Sequence, residues 1–185
     1  MVYAPQICVA GRSNCGKSSL LNAIMGAKLC RTSSTPGRTR LINVFEAVTD
    51  DVGPANKFYF IDLPGYGYHK AGKSAGQDFG AMTERYFENN ADIIAQTLCL
   101  MDIRRDPSEL DKVLINYLRD INVPFTVVLT KSDKLSRAQC ANAKIHIASS
   151  LGLARDNLIV TSATDYSGKD ELISRIQQVI TAQAE

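Results

Sequence analysis

Apolar residues along the chain recur in two rhythms that take turns. Short runs rich in β-branched and aromatic residues, at Gln6–Ala10, Leu41–Val48, Lys57–Ile61, Thr97–Met101, Pro124–Thr130 and Asn157–Thr161, predict six strands. Between them the spacing changes to that of a helix face. Leu20, Leu21, Ile24 and Met25 form the first such face. Leu110, Val113, Leu114, Tyr117, Leu118 and Ile121 form another, opened by Asp106-Pro107 with Glu109. A helix over Leu135–Leu151 starts with a capping box of Ser136 and Gln139. Leu172, Ile173, Ile176, Val179 and Ile180 mark the last helix, with Ser167 and Asp170 as its opening pair. Leu41–Val48 and Lys57–Ile61 are joined through the hairpin-type stretch 50–54, so these two strands are expected to run antiparallel. The remaining strands are separated by helices, which predicts parallel pairing. The pattern is that of an α/β fold: a six-stranded, mostly parallel sheet flanked by helices on both faces. No repeat, low-complexity tract or linker interrupts it, and residues 1–185 are expected to form one domain.

The turn after the first strand carries the densest chemistry. Gly11-Arg12-Ser13-Asn14-Cys15-Gly16-Lys17-Ser18 is a complete G-x-x-x-x-G-K-S phosphate loop, with a strand before it and a helix after it. Gly11 and Gly16 let the backbone wrap a phosphate chain with its N–H groups inward. Lys17 supplies a point charge for the β- and γ-phosphates, and the Ser18 hydroxyl is a hard oxygen ligand for Mg²⁺. The following helix directs its positive end at the anion. After the third strand, Asp62-Leu63-Pro64-Gly65 places a carboxylate where it can hold Mg²⁺ through water and a backbone N–H where it can meet a γ-phosphate. Between the first helix and the second strand lies Thr35-Pro36-Gly37-Arg38-Thr39. Of its threonines, Thr39 is the expected ligand of Mg²⁺ and of the γ-phosphate; Thr32 and Thr35 read as ordinary loop residues.

Two further segments choose the base. Thr130-Lys131-Ser132-Asp133 closes the fifth strand and resembles the guanine-reading motif usually written N-K-x-D. A carboxylate at Asp133 can accept from both N1–H and the 2-amino group of guanine. Adenine offers neither donor, so binding it would leave a desolvated carboxylate unpaired. The apolar stem of Lys131 can lie over the base. Thr161-Ser162-Ala163, directly after the sixth strand, is placed to offer a backbone N–H to guanine O6. All these segments fall at the carboxyl edge of the expected sheet.

Composition adds limits. Hydrophobic residues make up 45% of the chain and the formal net charge is +2. No apolar run approaches the roughly 18 residues of a membrane span, and no signal peptide pattern opens the chain. The five cysteines are odd in number and lack C-x-x-C spacing, as expected of reduced thiols in a cytosolic setting. Cys8 and Cys99 read as core filler and Cys15 as a small loop residue. Charge is uneven: Lys28, Arg31, Arg38 and Arg40 cluster without an acid, and Lys70 and Lys73 follow the Asp62 motif. Basic loops on the side that senses the γ-phosphate suggest an anionic partner.

The phosphate loop continuing into Ser19-Leu-Leu-Asn22, together with Thr32–Thr39, Asp62-Leu-Pro-Gly-Tyr-Gly-Tyr68, Met101-Asp-Ile-Arg104 and Thr130–Asp133, resembles the EngB (YihA/YsxC) GTPases of the TrmE–Era-like group. The resemblance covers nearly the whole chain, and Thr130 in place of Asn is the form it leads one to expect. It implies a P-loop G domain, monomeric and cytoplasmic in a bacterium or resident in an organellar matrix. It also implies Mg²⁺-dependent GTP hydrolysis in assembly of the large ribosomal subunit, with ribosomal RNA and proteins as partners, and a part in cell growth, division and septation. By position it assigns nucleotide contacts to Gly11 through Ser18, to Gly37, Arg38, Thr39, Arg40 and Leu41, and to Asp62 through Gly65. The same carry-over includes Thr130 through Asp133 and Thr161 through Ala163. Mg²⁺ would fall to Ser18 and Thr39, and catalysis to Lys17, Thr39, Gly65 and Asn14. Some members of the group hold K⁺ partly through an Asn at the position of Asn14. Members carry about twenty more residues at the N-terminus, so an extension is expected upstream of this sequence. A phosphotransferring P-loop kinase would need neither base-reading segment. A GTPase of membranes or protein signalling would call for an anchor or lipidation signal, and none is present.

Overall fold

The computed structural model describes residues 4–27, 41–48, 57–67 and 80–184. Six strands form one sheet: β1 (Gln6–Gly11), β2 (Asn43–Val48), β3 (Lys57–Asp62), β4 (Ile94–Asp102), β5 (Phe125–Thr130) and β6 (Leu158–Val160). Their spatial order is β2-β3-β1-β4-β5-β6. Among the described residues only the β2–β3 pairing is antiparallel. The five helices among the described residues are α1 (Lys17–Met25), α2 (Ala81–Asn90), α3 (Glu109–Asp120), α4 (Arg137–Leu151) and α5 (Lys169–Ala184).

Side-chain alternation along the strands assigns the helices to faces. Ile7 and Val9 of β1, with Leu98, Leu100, Val128 and Ile159, pack with Leu20 and Leu21 of α1 and Leu172, Ile176 and Ile180 of α5. Their neighbours Cys8, Ala10, Cys99, Met101, Val127 and Leu129 face the other way. They pack with Phe87 of α2, Leu114, Ile115 and Leu118 of α3, and Ile147, Ala148 and Leu151 of α4. All nine residues of β4 are buried, as a central parallel strand covered on both sides must be. The edge strand β2 instead alternates half-buried and exposed positions.

The boundaries differ from the sequence expectation in instructive places. β4 begins at Ile94, not Thr97, because Gln96 is buried and donates to Thr126 Oγ1 at 2.6 Å; a polar residue with an internal partner hides an apolar run. The second strand starts at Asn43, leaving Leu41 70% exposed. β6 shrinks to three residues, as Asn157 completes a 3₁₀ turn. The α3 N-cap is Ser108, in a reciprocal capping box with Asp111, rather than the Asp106-Pro107 pair. The Ser136–Gln139 box at α4 forms as expected. Ser167 does not act through Asp170: its hydroxyl lies 3.1 Å from that of Ser132. Helix α2 has no counterpart in the sequence reading, since only Thr83 and Phe87 of its ten residues are buried and they leave too thin an apolar stripe to read.

Candidate guanine-nucleotide site

The phosphate loop leaves β1 between its two parallel neighbours and enters α1 through Gly16, whose φ is 108°. That left-handed turn suits glycine, and no side chain caps the first turn of α1. Its leading N–H groups are therefore left to an anion. Gly11 answers a different demand: a β-carbon there would lie 2.6 Å from the Leu100 carbonyl and 2.7 Å from Cys15 Sγ. Cys15 itself is buried, and burial pushes its thiol pKa up, so this side chain packs and does not react. Lys17 folds over the loop, donating from Nζ to the carbonyls of Gly11 at 2.9 Å and Arg12 at 3.3 Å.

The Asp62 segment is fastened to this loop. Ser13 N donates to the Tyr66 carbonyl at 3.0 Å, and Ser13 Oγ to that of Gly65 at 3.3 Å. A β-carbon at Gly65 would lie 2.8 Å from Lys17 Nζ and 3.1 Å from Ser13 Cα, so the two motifs meet closely here and a side chain would push the lysine head aside. Asp62 is buried at the end of β3, and burial raises its carboxyl pKa against the opposing pull of Lys17 and of the Asn43 amide. Its Oδ1 has no hydrogen-bond partner among the described residues. Tyr66 turns inward: its ring is buried and its hydroxyl donates to Asp111 Oδ1 at 2.7 Å.

The base-reading segments border a cleft of about 190 Å³ lined by Gly16, Thr130, Lys131, Asp133, Thr161 and Ala163, with Ser19, Leu20, Lys134 and Thr164. Thr130 is buried and its hydroxyl donates to the Cys15 carbonyl, with the Met101 carbonyl 3.2 Å away. The hydroxyl thus braces the phosphate loop from β5, which gives the threonine a physical reason. Asp133 accepts from Lys134 Nζ at 2.9 Å and from Ser162 Oγ at 2.8 Å, and these bonds hold its carboxyl below the usual carboxylate range. Ser162 also accepts from the backbone of Thr164 at 3.1 Å, and Ser132 N donates to the Thr161 carbonyl, so the two base segments support each other.

The structure thus brings together the expected residues of the phosphate loop, the Asp62 segment, Thr130–Asp133 and Thr161–Ala163. Leu41 is exposed on the approach to β2, and Gly37, Arg38, Thr39 and Arg40 lie outside the described residues. Asp102 was not foreseen at the site. It ends β4, where its carboxylate meets Lys131 at 3.0 Å and Arg104 at 2.7 Å. The signal was present in the sequence, since an acid at the end of a strand lies beside the end of the neighbouring strand.

Comparison with known proteins agrees with this arrangement. The family model described as "50S ribosome-binding GTPase" matches residues 6–131. A probable GTP-binding protein EngB of Geobacter metallireducens is 41% identical over 179 residues, covering 96% of this chain and 84% of the relative. A crystal structure of a probable GTP-binding protein engB superposes with a TM-score of 0.74 at 25% identity, covering 95% of this chain and 98% of the other. Era in complex with MgGDPNP and a fragment of 16S ribosomal RNA shares the fold, with a TM-score of 0.73 at 22% identity over 95% of this chain and 56% of Era. A phosphate loop, a strand-end aspartate and a cleft lined by Thr130, Lys131, Asp133 and Ala163 on one sheet edge, in a chain this similar to such relatives, place it in the EngB family of GTP-binding proteins.

Proposed function

We propose that the chain is a Mg²⁺-dependent, GTP-hydrolysing switch that assists assembly of the large ribosomal subunit. The observation that carries the hydrolytic part is the buried Asp62 Oδ1, without a partner among the described residues, in a carboxyl that feels the charge of Lys17 at the uncapped start of α1. An acceptor buried without a donor is costly unless a cation or its water completes it, so the residues fit Mg²⁺ held by Ser18, Thr39 and, through water, Asp62. Held by these residues, Mg²⁺ would supply positive charge to offset that of the phosphates. Lys17 neutralises the β- and γ-phosphate oxygens, and Gly65 offers its N–H to the γ-phosphate. The intrinsic rate is slow, because the position where many GTPases carry a water-orienting Gln is Tyr66, which is committed to Asp111.

Asn14, exposed on the phosphate loop at φ 65°, would help hold a K⁺ whose charge would stand in for that of an arginine finger. Turnover is expected to be faster in KCl than in matched NaCl, with the difference abolished in Asn14→Ala. Equal rates in both salts for both proteins would remove the claim.

The ribosomal part is supported by the matched family description and by the basic segments holding Arg31, Arg38, Arg40, Lys70 and Lys73, which lie outside the described residues. Their proximity in sequence to Thr39 and Gly65 ties them to the γ-phosphate, and ribosomal RNA supplies matching anions. Sedimentation of the protein with large-subunit particles tests this. Binding is expected with a non-hydrolysable GTP analogue, to weaken with GDP, and to fall steeply with salt. Reversing Lys70 and Lys73 to Glu should impair sedimentation while GTP affinity stays nearly unchanged. Equal sedimentation with GDP and the analogue, or an unaffected double reversal, would refute docking through this face. No helix among the described residues is long and apolar enough to cross a membrane; the protein acts in the bacterial cytoplasm or an organellar matrix.

A further inference from the structure

We propose that Asp102 is a positioning residue for guanine-nucleotide binding: it pins the Lys131 ammonium against the phosphate loop, so that the lysine stem stands as a fixed wall of the base cleft. The inference rests on the cleft being the guanine site, as proposed above.

Backbone register creates the juxtaposition. Asp102 pairs with Thr130 across the parallel β4–β5 ladder, so the residue after Thr130 emerges beside the Asp102 side chain. Lys131 then adopts φ 65°, a left-handed turn that an L-residue takes only when its surroundings hold it. Its Nζ lies 2.7 Å from the Asn14 carbonyl and 3.0 Å from Asp102 Oδ2. Between that turn and its fixed head, Lys131 lines the cleft.

Asp102 is itself held. Its Oδ1 accepts from the Arg104 backbone at 3.1 Å and from Arg104 Nε at 2.9 Å, and its Oδ2 accepts from Nη2 at 2.7 Å. Burial would raise its carboxyl pKa, but the bonds from Arg104 and Lys131 outweigh burial and keep it well below the usual carboxylate range. Only 7% of the Asp102 side chain is exposed against 31% for Lys131, so the acid is the fixed partner and the lysine the one being held. An unpinned lysine would sample many rotamers, and a base would have to order it on binding.

The sign of the effect separates this role from simple charge. Removing a negative charge near an anionic ligand should tighten binding; loss of positioning should weaken it. The experiment measures release of N-methylanthraniloyl-GDP by stopped flow. Asp102→Asn keeps the side chain's shape and is expected to release the probe about tenfold faster, and Asp102→Glu, which keeps the charge, to recover part of the loss. In a Lys131→Ala background the Asp102→Asn change is expected to do almost nothing. Slower or unchanged release, or equal acceleration in both backgrounds, would overturn the proposal. A second measurement needs no nucleotide: reductive methylation of Lys131, followed by mass spectrometry, should be several-fold faster in Asp102→Asn than in the parent, and equal rates would show that no pinning exists. A parent protein that methylates slowly at Lys131 yet fails to bind the probe would instead overturn the guanine-site reading, and the positioning role with it.

Discussion

Asp133→Asn is expected to lower affinity for GTP and GDP by about a hundredfold or more while raising affinity for xanthine nucleotides. Asp133 lines the candidate base cleft with Ser162 on one carboxylate oxygen and Lys134 on the other, held ionised by both. An ionised carboxylate only accepts, which suits the two donors on the guanine edge. The amide introduces a donor where guanine also donates, whereas xanthine carries an oxygen in place of the 2-amino group. Lys134 also loses its charged partner, but that side chain is more than half exposed and the loss is small. Equilibrium titration with labelled guanine and xanthine nucleotides checks both directions. Unchanged GTP affinity would mean that Asp133 does not read the base.

Lys17→Ala is expected to reduce GTP hydrolysis on the order of a hundredfold or more and to weaken triphosphate binding more than diphosphate binding. Lys17 Nζ rests on two carbonyls of its own loop, Gly11 and Arg12, and stands where a β-carbon at Gly65 would intrude. The ammonium therefore sits at the junction of the phosphate loop and the Asp62 segment. Its bonds go to backbone oxygens of a half-buried loop, and although buried Asp62 loses the pull of its charge, the Asn43 amide still meets that carboxyl, so the fold should persist. Single-turnover hydrolysis with circular dichroism as a folding control tests this. Hydrolysis within a few-fold of the parent would show that the charge is supplied elsewhere.

What could be read from the sequence was what is local. The phosphate loop, the Asp62 segment and both base motifs are contiguous strings whose chemistry is set by spacing, and each lands after a strand because the strand patterns are short and apolar. What escaped the reading depends on partners far along the chain. Thr130 is the residue the resemblance leads one to expect, but its physical reason, a hydroxyl that donates to the Cys15 carbonyl 115 residues away, is not legible in the sequence. Asp102 mattered only once register set it beside Thr130. Gln96 broke an apolar run because its amide partner sits on the next strand. Helix α2 failed for the opposite reason: it buries so little that its sequence carries almost no period. The basic loops and Thr39 lie outside the described residues, so their part rests on sequence.

The inward turn of Tyr66 ties reaction strategy to foldedness. Its hydroxyl serves Asp111, and the same carboxylate caps α3 by accepting from Ser108 N at 2.7 Å and Ser108 Oγ at 2.6 Å. A Tyr66→Gln exchange, the one-step route to a water-orienting side chain, would empty an aromatic site in the core and strip a donor from a buried acid. Stability would fall before any gain in rate could be selected. An evolving lineage that starts from this chain is therefore steered away from the glutamine solution and toward help from outside the polypeptide, in the form of an ion or a partner. The slow clock proposed above would be inherited with the architecture of α3.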